Sequence, residues 1–205
     1  MDEKYYNYIQ ESILSSQPCQ RNWDLSKQIP KKDIDLILHS ATQCPSKQNQ
    51  NYYAIHVITD RELIQELYEC SITPKGDRKN PQLLANVVLL FERAVPKLPV
   101  SYEELRVQAL VGTKQDKIIT DKDATISVGI AAGFVNLTSS LLGYQTGFCT
   151  CFAGEIVKSI FDIKGEPLLA IGIGIKNEEK EHYVDHDTSE NITTHTKQKI
   201  DITYY

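Results

Sequence analysis

Residues 85–92, ANVVLLFE, form a nearly unbroken apolar run. A strand with one wet face alternates apolar and polar residues, so a run this continuous is expected to be covered on both faces. It predicts a central strand in a sheet flanked by helices. PLLAIGIGIK, residues 167–176, reads the same way, with Gly172 and Gly174 leaving room for close contact by another group. YYAIHVIT at 52–59 has the aromatic and β-branched character of a strand. QTGFCTC at 145–151 reads as a short strand or extended turn.

Between these runs the apolar period is helical. Tyr5, Ile9 and Ile13, with Tyr6 and Leu14 alongside, place an apolar stripe on a helix over residues 3–15. Pro30 suits the first turn of a helix that runs to about Ala41 and buries Ile34, Ile37, Leu38 and Ala41. Asp60 caps a helix carrying Leu63, Ile64, Leu67 and Tyr68, which ends near Cys70. From about Thr120 a long helix carries Ile126, Ile130, Phe134, Leu137 and Leu141, with Gly143 at its left-handed cap. Gly129 and Gly133 lie one turn apart inside it. Glycine there costs about 1 kcal/mol relative to alanine, so the pair predicts close approach by another backbone or a flat ligand. AGEIVKSIF at 153–161 is a short helix, and SYEELRVQAL at 101–110 predicts another within a surface excursion at 94–120.

A chain of 205 residues supports one core, so a single domain over residues 1–205 is expected. Its last part, 177–205, has little apolar content before ITYY and reads as an extension that wraps the surface or reaches a partner. With 22 basic against 27 acidic residues and a net charge of −5, there is no global cationic field to hold a nucleic acid. No stretch of about 20 residues reads as apolar enough to span a bilayer, and MDEKYYNYIQ lacks the pattern of an export signal. A cytoplasmic protein that works off the membrane is expected. Five cysteines at irregular spacing, 19, 44, 70, 149 and 151, read as reduced thiols, and the lone C-x-C is too few ligands for zinc. His182 and His186 sit in an acidic stretch and read as solvated, so no metal site is expected. Trp23 reads as a structural aromatic buried against the sheet.

Three segments then fall into a known order: QPCQRNWDLSKQIP with a helix after it, CPSKQNQNYYAIHVIT, and the long helix ending in LLGYQTGFCTC before LLAIGIGI. In this order the chain resembles the FMN-dependent nitroreductase family, over residues 5–200 and most weakly at 94–120. The resemblance implies an α+β, three-layer α/β/α fold with a central, mostly antiparallel sheet, assembled as a homodimer. It also implies FMN as cofactor, whose dianionic phosphate and flat ring call for cations, amides and an apolar wall.

Carried over residue by residue, Arg21 matches the last basic position of the family's N-terminal phosphate motif, two residues before Trp23. Gln17 and Cys19 stand where the family usually has arginine and serine; glutamine donates without charge and a thiol donates weakly, which implies weaker FMN affinity. Lys197 and Lys199, in THTKQK, match the C-terminal basic pair that approaches the same phosphate, although alone they read as a solvated tail. Pro45, Ser46, Lys47, Gln48 and Asn49 match the loop beside the ring and ribityl chain, and as bare sequence equally make a helix-to-strand connection. Asn80 and Gln82 resemble the N-x-Q element whose amides bond the pyrimidine edge; without the resemblance, Asn-Pro is a turn opener. Gly147, Phe148, Cys149, Thr150 and Cys151 match the strand end facing the flavin, where a backbone N–H points at N5 and no side chain is specified.

The implied activity is ping-pong: NADH or NADPH and a small electron acceptor take turns on one open flavin face. No catalytic side chain is required. Nitroaromatic or quinone reduction is the broad default, with reductive dehalogenation and flavin breakdown as alternatives on the same scaffold. Two FMN sites are implied per homodimer, built across the interface, with the Gly/Ala-rich helix against its symmetry mate. Two readings of other classes stay open, a flavin-binding protein without turnover and a flavin-free scaffold that acts through its dimer surface.

Overall fold

The computed structural model describes residues 2–72, 79–96 and 114–204. The helix expected at 101–110 and most of the expected excursion at 94–120 lie outside the described residues. Four strands, β1 (Tyr53–Ile58), β2 (Val87–Arg93), β3 (Gln145–Cys149) and β4 (Pro167–Gly174), form a sheet in the order β1-β2-β4-β3. Every pairing in it is antiparallel. The two apolar runs, β2 and β4, are therefore the inner strands.

Burial along β2 explains the three layers. Val88 and Leu90 point into one core with Trp23, Ile64, Leu67, Val157 and Ala170. Val87, Leu89 and Phe91 point into the opposite core with Ile37, Ala41, Val128, Ala131, Val135 and Ile173. Alternate residues of one strand thus feed two cores, and both faces need helices. Helices α3 (Arg61–Glu69) and α5 (Gly154–Phe161) cover the first face; α2 (Lys31–Gln43) and α4 (Lys114–Leu141) cover the second, with α1 (Glu3–Ser15) against α4.

The local chemistry follows the sequence in most places. Asp60 caps α3 by accepting from the Glu62 and Leu63 amides, and Gly143 takes a left-handed φ of 84° just beyond α4. Pro30 lies one step outside α2 as its N-cap. Two expectations need correction. Helix α4 begins at Lys114, six residues before the expected start at Thr120. Its part Thr120–Leu141 does have the length and mean hydropathy, 1.4, of a membrane span; yet one side of it packs on the sheet through Ala124, Val128, Ala131 and Val135, as a core helix does. The apolar stripe of α1 faces outward in the protomer, with Tyr5, Ile13 and Leu14 more than half exposed. Polar contacts dock this helix: Ser140 Oγ donates to the Ser12 carbonyl (2.7 Å), and Tyr8 OH donates to that of Leu141.

Candidate functional site

The segment after α1 runs beside the sheet rather than into it. The Gln20 amide donates to the Thr146 carbonyl (2.9 Å) and that of Asp24 to Ile175 (2.7 Å), so residues 20–24 are laid along the ends of β3 and β4. Trp23 is buried there as expected, and its indole Nε1–H donates to the Pro81 carbonyl (3.1 Å). The N-terminal motif and the Asn80–Gln82 segment are thereby tied together.

At the end of β3 the backbones come very close. A side chain at Gly147 would meet the Cβ of Gln82 and the Gln20 carbonyl. Gln82 Nε2 donates to the Phe148 carbonyl (3.2 Å) and to Asn80 Oδ1 (3.3 Å), while Asn80 Nδ2 donates to the Cys151 carbonyl (3.2 Å). Both amides are buried and cross-link residues 148–151 to the turn at 80–82. Thr150 is exposed at this strand end. Burial pushes the Cys149 thiol up to about 12, so it stays protonated at neutral pH and lacks the thiolate that makes a cysteine reactive.

The C-terminal segment returns to the same place. Buried Asn22 donates through Nδ2 to the carbonyls of Glu181 and Val184, and the Trp23 amide donates to His186 Nδ1 (3.2 Å). Asp185 accepts from the Asp187 and Thr188 amides, and the Ile192 amide donates to the Tyr183 carbonyl, which closes a pinned turn over 183–192. The expectation that His186 is solvated is thus corrected: it is partly buried, an acceptor, and held below the usual histidine range by desolvation, with Lys180 and Arg61 adding to the effect.

Between the N-terminal segment and this tail lies an open cleft of about 540 Å³. Its lining is Gln17, Pro18, Cys19 and Arg21 on one side and His182, Thr193, Thr194, His195, Thr196 and Lys197 on the other. The volume falls within the ~300–1,000 Å³ of ligand sites. Arg21 uses one N–H of its guanidinium on the Cys19 carbonyl (3.0 Å). In a chain of net charge −5, the cleft's lining among the described residues carries two permanent cations, three hydroxyls and an amide, and no carboxylate. That donor set suits an anion.

Of the expected site residues, Gln17, Cys19, Arg21 and Lys197 meet in this cleft, whereas Asn80, Gln82 and 147–151 pack together beside Gln20, outside its lining. Lys199 is exposed and outside the lining. The loop Pro45–Asn49 is also outside it: Lys47 pairs with Asp123 on α4 (2.5 Å), and Gln48 and Asn49 hold left-handed φ values of 54° and 57°. Sequence reasoning missed His182, His195 and the three threonines. The donor-rich string TTHT beside Lys197 was their visible signal; His182 has none without the turn that brings it back.

By sequence, residues 18–175 match the nitroreductase family. In structure the chain is similar to the Bacillus subtilis protein ydfN, assigned as a nitroreductase, at 17% identity and a TM-score of 0.67 with 100% of each chain covered. It is similar to an Exiguobacterium sibiricum protein crystallised in complex with FMN, at 18% identity and a TM-score of 0.64, covering 83% of this chain and 90% of that one. A Staphylococcus epidermidis protein assigned as an NAD(P)H:FMN oxidoreductase matches at 19% identity and a TM-score of 0.65, covering 93% of this chain and 92% of that one. No curated protein matches the sequence. The chain belongs to the nitroreductase family, whose members are FMN-dependent oxidoreductases.

Proposed function

We propose that the chain is an FMN-dependent oxidoreductase that takes electrons from NADH or NADPH and passes them to a nitroaromatic, a quinone or a similar small acceptor, the two reactants alternating at one site. The observation that carries this reading is the cleft, lined by cations from near both ends of the chain and, among the described residues, by no carboxylate. The residues fit the cofactor. Arg21 and Lys197 would neutralise its phosphate, Gln17, Cys19 and the threonines would donate to the phosphate and ribityl oxygens, and the backbone of 147–151 would meet the ring. When bound, FMN supplies a ring that accepts hydride from nicotinamide and returns electrons to the acceptor.

The protein's part is then to hold and orient. Asn80 and Gln82 fix the strand end by bonding its carbonyls, and neutral Cys149 fills space there. Replacing Arg21 by alanine should remove about 1.5–3 kcal/mol of charge-assisted bonding, which weakens FMN affinity roughly ten- to a hundredfold. Flavin released from purified protein, and titration of the apoprotein, measure this; full occupancy in the variant would overturn the phosphate assignment. A yellow protein that NADH and NADPH fail to bleach without oxygen would instead be a flavin-binding protein without turnover.

The reading extends to a homodimer with two FMN sites. Ile126 and Phe134 on α4 are 50% and 44% exposed, and among the described residues nothing beyond the helix itself lies within 4 Å of a Cβ placed at Gly129 or Gly133. This apolar face, together with the outward stripe of α1, suits a second copy of the chain. A dimer also gives the loop Pro45–Asn49 a role, in the partner's cleft. Sedimentation of the flavin-loaded protein should show twice the 23.2 kDa chain mass; a flavin-holding monomer would remove this part.

A further inference from the structure

We propose that His182 and His195 are proton-dependent ligands of the anionic end of this cleft, so that retention of a phosphorylated flavin over an unphosphorylated one is set by imidazole protonation. The inference rests on the FMN reading and assigns residues that no motif supplied. Both histidines line the cleft with Arg21 and Lys197. They come from either side of the pinned turn: Asn22 holds the carbonyls of 181 and 184 on either side of His182, and the amide of Ile192, three residues before the exposed His195, closes on Tyr183. His182 is partly buried, with the Tyr183 ring edge-on at 5.3 Å.

The chemistry of the lining gives these rings their task. Gln17 brings no charge to the cleft, so its described lining holds two permanent cations for a group that carries close to two negative charges. A neutral imidazole donates one hydrogen bond, whereas the imidazolium donates from both nitrogens and adds a charge. Histidine gains its proton between about pH 5 and 8, which makes that charge conditional.

The groups facing the two rings fix the sign. Across the cleft stand Arg21 and Cys19; on the tail stands Lys197; flanking His182 in the chain are Lys180, Glu181 and Tyr183. A phosphate bound beside an imidazole favours its protonated form, so by reciprocity protonation tightens binding. His186, on the sheet side of the turn, takes no part. Its Nδ1 accepts from the Trp23 amide, which requires that nitrogen to be unprotonated.

The test is a titration of the full-length apoprotein with FMN and with riboflavin, followed by flavin fluorescence, at about pH 6 and about pH 8. Wild type is compared with His182→Gln, His195→Gln and the double variant; glutamine keeps a donor and cannot titrate. The phosphate itself gains its second charge near about pH 6, an effect common to all four proteins and cancelled in the comparison. The FMN affinity of wild type should fall from the lower pH to the higher by about tenfold more than that of the double variant, with the single variants between them. Riboflavin affinity should show no such difference. FMN profiles that run parallel in wild type and double variant, or an equal effect with riboflavin, would overturn the proposal. Tight FMN binding with parallel profiles removes only the histidines' role; FMN that binds at neither pH removes the cofactor reading with it.

Discussion

Truncating Trp23 to alanine is expected to lower the free energy of unfolding by about 3–5 kcal/mol, the range for removing a fully buried aromatic from a core. The side chain is 1% exposed and belongs to the core under α3 and α5. Its ring also fills the space in front of Gly174, where a Cβ would lie 2.6 Å from Trp23 Cε3. Trp23→Phe keeps most of the volume but removes the indole bond to the Pro81 carbonyl, which still accepts from the Leu84 amide, for a smaller loss of about 0.5–1.5 kcal/mol. The order of the two variants separates packing from hydrogen bonding. Urea unfolding monitored by far-ultraviolet circular dichroism measures both, and an alanine variant within 1 kcal/mol of wild type would show that the ring is not the joint described. The consequence reaches the cleft, because the Trp23 indole holds the 80–82 turn and its amide holds His186 at the base of the tail.

This joint marks the border between what the sequence shows and what it does not. The apolar run of β2 predicted an inner strand covered on both sides, because two-sided burial leaves no polar alternation; its residues do enter two separate cores. Periodicity likewise predicted α1, α3 and α4, whose apolar residues recur every three to four positions. Periodicity identifies an apolar face and leaves open what covers it: the stripe of α1 and the Gly129–Gly133 face are exposed in the protomer. The apolar pattern of α4 begins later than the helix itself because TKQDKIITDKD is charged, and charge disfavours a core without disfavouring a helix.

Arg21 and Lys197 were legible as cations in a known order, and they do meet. The placement of His182 and His186 was not, because it depends on a turn bonded to the Asn22 side chain and the Trp23 amide some 160 residues earlier in the chain. No local composition reports such contacts. The acidic character of 177–190 signalled solvent, and the amide of Trp23 and the side chain of Asn22 placed part of it against the sheet instead.

Substituting Gly147 by alanine should destabilise the protein by about 2–3 kcal/mol, toward the upper end for overpacking, and strip it of flavin. The added carbon would lie 2.6 Å from the Gln20 carbonyl and closer still to Gln82 Cβ. Neither neighbour can swing aside as a flexible side-chain tip does. Gln20 is pinned by its own amide to Thr146, and Gln82 is held by its bonds to Phe148 and Asn80. The strand end and the two segments that flank it must therefore separate, and these are the segments that carry Arg21 and present the backbone of 147–151. Because α1 to α5 keep their cores, helical circular dichroism should persist while flavin content falls, which distinguishes a spread site from global unfolding. A Gly147→Ala protein with wild-type stability and full flavin would mean that this close approach is neither rigid nor part of the site.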